Sequence, residues 1–157
     1  MNIELVINDV EQVVDVLPGE TLMEFLRRSG YASVKNGCAN GDCGTCAVLL
    51  DGRAVAACLL FAAQAADRAI TTSEHLANTG GLHPLQQALL DAGGVQCGFC
   101  IPGMLATSLD LLARVPDPTL EEVRVALAGN LCRCTGYVKQ VEGILAGAAR
   151  MREGTGG

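Results

Sequence analysis

The stretch Lys35-Asn36-Gly37-Cys38-Ala39-Asn40-Gly41-Asp42-Cys43-Gly44-Thr45-Cys46 sets three cysteines among three glycines. Three thiolates can converge on one small inorganic core only through tight chain reversals. Glycine supplies the positive φ angles for such reversals without steric cost. The same glycines leave backbone N–H groups free to point at sulfur, which stabilises a reduced, more negative core. Cysteines that merely fill a protein interior do not gather in a glycine loop. Further along, Cys58 completes a set of four, Cys38-x4-Cys43-x2-Cys46-x11-Cys58.

A second set, Cys97-x2-Cys100-x31-Cys132-x-Cys134, accounts for the rest of the eight cysteines. Four thiolates hold one [2Fe–2S] cluster, and the gaps of the first loop are those of plant-type ferredoxins. Two full sets with none left over imply two clusters and a protein that moves electrons singly. In the second set, Pro102 stands where a first helical turn tolerates a missing N–H. Cys132 and Cys134 lie just ahead of another helical pattern. Two helix amino termini, each with free N–H groups and partial positive charge, suit an anionic cluster. Close cysteine pairs also bind zinc, so a zinc-bound structural or interaction module is an alternative. A thioredoxin-like reading of Cys97 and Cys100 needs a strand–helix–strand setting that this stretch lacks.

Outside the cysteines the chain offers no catalytic constellation. Half of its 157 residues are hydrophobic, yet it has no Trp, so Ala, Leu, Val and Ile must build the core. A formal charge of −6 argues against nucleic acid as a partner. The first residues run directly into a strand pattern (Ile3, Leu5, Ile7), without a basic segment or an apolar signal region. No apolar run approaches membrane-spanning length, so no transmembrane segment is expected. The expected location is the cytoplasm, where cysteine clusters bind metal more readily than they form disulfides. Arg27 and Arg28 fall inside a helical pattern and read as a solvated face. His75 and His83 read as solvent-facing or capping residues, and Met104 and Met151 as packing.

The chain divides into unlike halves, an α+β organisation. Residues 2–8 and 10–16 are strand candidates joined at Asn8-Asp9. Thr21 and Glu24 form a capping box opening a helix over 22–28, with Gly30 placed as its C-cap. Residues 47–50 and 53–57 flank the hairpin turn Asp51-Gly52, and 70–72 look like a further strand. Turn formers over 74–84 mark a connection. Beyond it, helical stripes run through Leu85, Ala88, Leu89 and Ala92, then through Leu105, Leu109 and Leu112. Thr119 and Glu122 cap a third helix carrying Val123 and Leu127, and Val138, Val141, Leu145 and Ala148 mark a fourth. Four helices with short connections suggest a small bundle. The expected domains are 1–74 and 85–157, with 75–84 as linker.

Three segments carry a resemblance: residues 37–46 (GCANGDCGTC), 96–100 (QCGFC) and 129–137 (GNLCRCTGY). Together they resemble the iron–sulfur subunit of the xanthine oxidase family of molybdenum hydroxylases, over roughly residues 2–150. Three cysteine motifs in the right order make the likeness specific. It implies a β-grasp, plant-type ferredoxin-like domain followed by a four-helix bundle. It implies one [2Fe–2S] cluster on Cys97, Cys100, Cys132 and Cys134, nearer a molybdopterin in a large partner subunit. Cys134 would approach that pterin, with Gln96 as a close neighbour. The cluster on Cys38, Cys43, Cys46 and Cys58 would face FAD in a medium partner subunit, the whole forming a dimer of heterotrimers. In such relatives substrate is hydroxylated with oxygen from water, molybdenum takes two electrons, and the clusters pass them singly to FAD. This chain would then carry electrons and do no substrate chemistry of its own. Ile101 departs from the family's frequent polar residue and would dry the second cluster without disturbing its ligands. A free-standing two-cluster ferredoxin is the rival reading.

Overall fold

A computed structural model describes residues 1–76 and 81–154. The first half is a five-stranded mixed sheet with one helix packed against it. Strands β1 (Asn2–Ile7), β2 (Val10–Asp15), β3 (Ala47–Leu50), β4 (Arg53–Ala56) and β5 (Ala69–Thr71) stand in the order β2-β1-β5-β3-β4. β1 pairs with β5 in parallel, and the remaining pairings are antiparallel. Alternation in β1 turns Ile3, Leu5 and Ile7 inward, where they meet Leu22, Phe25 and Leu26 of α1 (Leu22–Arg28). α1 starts at the expected capping box: Thr21 N–H donates to Glu24 Oε2, and Glu24 N–H donates to Thr21 Oγ1. The β3–β4 turn has Asp51 and Gly52 both at positive φ, as a two-residue hairpin requires.

β2 is a sheet edge, with Val10 and Val13 turned to solvent. The expected solvated pair Arg27 and Arg28 is exposed but not idle. Arg27 donates to Val34 O at 2.7 Å, bracing the start of the cysteine loop, and Arg28 grips the Glu20 carboxylate. Two short 3-10 turns, Ala57–Leu59 and Ala62–Ala65, follow β4, so the expected strand over 53–57 stops at Ala56.

The second half is helical: α3 (Pro84–Asp91), α4 (Ile101–Arg114), α5 (Leu120–Leu127) and α6 (Val138–Gly154). Leu85, Leu89, Met104, Val123 and Ile144 lie at their shared core. α3 lies close against α6 because Gly143 and Gly147 face it; a Cβ at Gly147 would come 2.7 Å from Leu85 Cδ1. The buried stripe of α6 agrees with the expected one at Val141 and Ala148 but departs from it at its start. Gln140, Val141, Ile144, Gly147 and Ala148 are buried, whereas Val138 is exposed and Leu145 half-buried.

The expected linker over 75–84 is bordered by helical turns. Ser73–Leu76 is a helical turn (α2), and α3 opens at Pro84 with His83 as N-cap, its Nδ1 accepting from Leu85 N–H. His75 faces Asp9 at 3.2 Å. Residues 77–80 of that linker, and 155–157 of the expected second domain, lie outside the described residues. The halves are not merely tethered. α4 lies along β3 and β4. Arg53 pairs with Asp110 of α4 at 2.8 Å. Asn130 Nδ2 donates to Gly44 O, and Leu131 N–H donates to Cys43 O. No described helix is long and apolar enough to cross a membrane.

Candidate metal centres

Each set of cysteines meets in two pairs. In the first, Cys43 N–H donates to Cys38 Sγ at 3.4 Å, and the two side chains are near enough to shift ionisation. Cys58 lies near enough to Cys46 to shift its ionisation. Cys58 sits in the 3-10 turn after β4 rather than at a strand end. In the second set, the sulfurs of Cys97 and Cys134 lie 3.5 Å apart, and those of Cys100 and Cys132 both lie within reach of one side-chain amide, near enough to shift ionisation. Within each set the pairs also sense one another's charge, Cys46 with Cys43 and Cys134 with Cys132. Among the described residues, no group of three or more His, Cys, Asp or Glu side chains closes on one point as a lone metal ion requires. A two-iron core takes two thiolates per iron, and two pairs per set is the donor arrangement it needs.

The loop around the first set uses its glycines in two ways. Gly41 and Gly44 have positive φ, as expected, but so does Ala39. Gly37 does not; its glycine is needed for space, since a Cβ there would lie 2.9 Å from Cys43 Sγ. Lys35 N–H donates to Thr45 O and closes the loop at its base. The second set combines the start of α4, where Cys100 is the N-cap, with the turn between α5 and α6. Tyr137 pins that turn: its hydroxyl accepts from Cys132 N–H at 2.8 Å and donates to Asn130 O at 3.1 Å. Tyr137 itself takes φ +70°, a conformation of order 1 kcal/mol or more above the usual one for a bulky residue.

The thiols differ in how readily they ionise. Burial pushes Cys46 up to about 11, and Cys100 likewise to about 11. The N–H of Asn40, followed by the Cys43 side chain, draws Cys38 down to about 7. Burial also pushes Cys132 upward, but the Thr135 hydroxyl and neighbouring backbone N–H groups bring it down to about 7. Each set thus mixes thiols ready to ionise with buried thiols that need a metal's positive charge to do so. The donor sets fit two anionic clusters.

Exposure separates the two centres. Cys43, Cys46 and Cys58 are buried and Cys38 is half-buried, whereas Cys97 and Cys134 are exposed. Gln96 is exposed beside Cys97 in sequence, and Phe99, Leu131 and Val138 are exposed apolar residues of the same segments. Phe99 lies across Gly37, so the two cysteine regions touch.

Three contributors were not singled out from the sequence: Gln140, Thr135 and Tyr137. Gln140 is 0 % exposed and its Nε2 donates to Cys100 Sγ and Cys132 Sγ. A stripe through Val141, Ile144 and Ala148 with Gln140 in phase would have flagged it as a polar group on a buried face. Thr135 and Tyr137 lie inside the 129–137 segment, but only the folded turn shows what their side chains hold.

Residues 5–77 match the family described as 2Fe-2S iron-sulfur cluster binding domain, and residues 72–145 the one described as [2Fe-2S] binding domain. The nicotinate dehydrogenase small FeS subunit of Eubacterium barkeri is 46% identical over 140 residues, covering 88% of this chain and 89% of that protein. The xanthine dehydrogenase iron-sulfur-binding subunit of Escherichia coli O157:H7 is 45% identical over 147 residues, covering 92% of each. Among solved structures, a chain of quinoline 2-oxidoreductase from Pseudomonas putida 86 superposes with a TM-score of 0.94 at 41% identity, over 98% of this chain and 97% of that one. Aldehyde oxidoreductase from Desulfovibrio gigas gives a TM-score of 0.93 at 39% identity, over 98% of this chain but 17% of that longer chain.

Proposed function

This chain belongs to the small iron–sulfur subunits of the xanthine oxidase family of molybdenum hydroxylases, and from that membership we propose roles for its parts. Its function is electron transfer within a multi-subunit oxidoreductase. A [2Fe–2S] cluster, when bound, takes up and releases one electron at a time. Cys38, Cys43, Cys46 and Cys58 hold one such cluster in a β-grasp domain over 1–74. Cys97, Cys100, Cys132 and Cys134 hold the other in a four-helix bundle over 85–157, the intervening 75–84 serving as linker.

The observation that carries this reading is the pairwise meeting of eight thiols drawn from distant stretches of chain. The contrast in exposure supports an orientation. The exposed Cys97–Cys134 edge, with Gln96 beside it, meets a large molybdopterin-binding subunit, Cys134 approaching the pterin. Cys38, the more accessible thiol of the first set, faces a medium FAD-binding subunit. Exposed Phe99, Leu131 and Val138 are apolar surface that a partner subunit would cover. The chain's own residues keep water from the buried thiols, and the Leu131-to-Cys43 hydrogen bond holds the two centres in register. The assembly is a dimer of heterotrimers in the cytoplasm.

The experiment is purification of the native complex under mild conditions. The chain is expected to elute with larger partners, with molybdenum and FAD in the same fraction. Elution as a free monomer with neither cofactor would favour the stand-alone ferredoxin instead.

A further inference from the structure

Gln140 commits every polar atom of its buried side chain to one pocket. Nε2 donates to Cys100 Sγ at 3.5 Å and to Cys132 Sγ at 3.6 Å, while Oε1 accepts from Thr135 Oγ1 at 2.9 Å. The Thr135 oxygen in turn accepts from Tyr137 N–H at 3.2 Å. Thr135 Oγ1 also lies 3.2 Å from Cys132 Sγ, and it is the two sulfurs that set which way the amide faces. A flipped amide would aim oxygen lone pairs at two sulfurs. Backbone packs tightly on the other side: a Cβ at Gly94 would lie 3.2 Å from Gln140 Cα.

A buried amide is costly unless its hydrogen bonds are good, and a neutral thiol is a poor acceptor. Thiolates on iron are better ones, because charge strengthens the bond. The placement of Gln140 therefore makes sense against anionic sulfur. The first set has a different surround. There the donors to sulfur are backbone N–H groups, those of Asn40, Asp42 and Cys43 at Cys38 and that of Cys58 at Cys46, with the Thr45 hydroxyl beside Cys43 Sγ and without a side-chain amide.

The geometry points to Gln140 as a residue that raises the reduction potential of the second cluster, through two N–H···S bonds to Cys100 and Cys132, with Thr135 as the positioning residue. It rests on the assignment of a cluster to Cys97, Cys100, Cys132 and Cys134. An added electron places more negative charge on those sulfurs, so the donors stabilise the reduced form more than the oxidised one. Removing them lowers the potential.

The test is a redox titration of the intact complex followed by electron paramagnetic resonance. Gln140→Leu is expected to disfavour reduction of the second cluster about tenfold, a fall of about 59 mV for a one-electron couple. Gln140→Met, closer in length and equally without a donor, is expected to do the same. Thr135→Val, which frees the amide to turn, should shift the midpoint the same way by less. The first cluster's midpoint should stay in place in all three.

An unmoved second midpoint with both signals intact overturns the inference, and so does an equal shift of both. Loss of the second signal from both Gln140 variants would assign the residue to folding instead, and overturns it as well. A wild-type complex lacking two distinct signals would be a failure of the cluster assignment itself, seen before any variant is made.

Discussion

Replacing Cys43 by serine is expected to remove the first cluster's paramagnetic signal while leaving the second at full intensity. Cys43 is buried, pairs with Cys38, and has Thr45 Oγ1 within 3.2 Å of its sulfur. No other cysteine stands spare to replace it, because all eight are already placed in the two sets. Serine is a harder and less acidic ligand than cysteine, and its hydroxyl would have to ionise in a buried site. Iron content should fall from about four atoms per chain to about two. The second centre should survive, because its contact with this residue runs through the Cys43 carbonyl, which the substitution leaves in place. Equal loss of both signals would mean that the sets do not form separate sites.

Gly103→Ala should be strongly disruptive for so small a change. Gly103, in the first turn of α4, lies against the cysteine loop so closely that a Cβ would sit 2.2 Å from Gly44 O. The obstacle is backbone on both sides and cannot swing away. Gly44 is hemmed in as well: a Cβ there would come 2.3 Å from Gly129 O. The methyl must therefore push α4 off β3 and β4, straining the bonds from Asn130 and Leu131 to the loop. Overpacking of this kind costs about 3 kcal/mol or more. A lowered urea midpoint for the holo-chain, with reduced occupancy of both clusters, is the expected result. Gly129→Ala is the control, since open space surrounds that position and its φ is ordinary. It should change stability by no more than about 0.5 kcal/mol. Matching effects from the two substitutions would show that the close approach at Gly103 does not matter.

Much of the fold was legible because local chemistry and tertiary structure agree. The boxes at Thr21 and Glu24 and at Thr119 and Glu122 mark true helix starts. Asp51-Gly52 turns a true hairpin, and the alternation of Ile3, Leu5 and Ile7 marks a true inward face. The two cysteine sets could be separated by spacing alone. What stayed hidden depends on contacts between distant residues. The pairing of Cys46 with Cys58 needs the 3-10 turn after β4, for which Ala56-Ala57-Cys58 carries no capping or turn signal. The packing of α4 on the sheet depends on Gly44 and Gly103, which are far apart in sequence. The start of the α6 stripe was misread because Val138 is apolar yet exposed, while Gln140 is polar yet buried. That inversion marks the place where the helix meets Cys100 and Cys132 rather than the core.

The most direct test is metal analysis of the chain in its native complex, prepared without air, with paramagnetic resonance after partial reduction. About four irons per chain, negligible zinc and two distinguishable [2Fe–2S] signals are the result expected here. Far fewer irons, a single signal, or zinc as the main metal would contradict the assignment of these eight sulfurs.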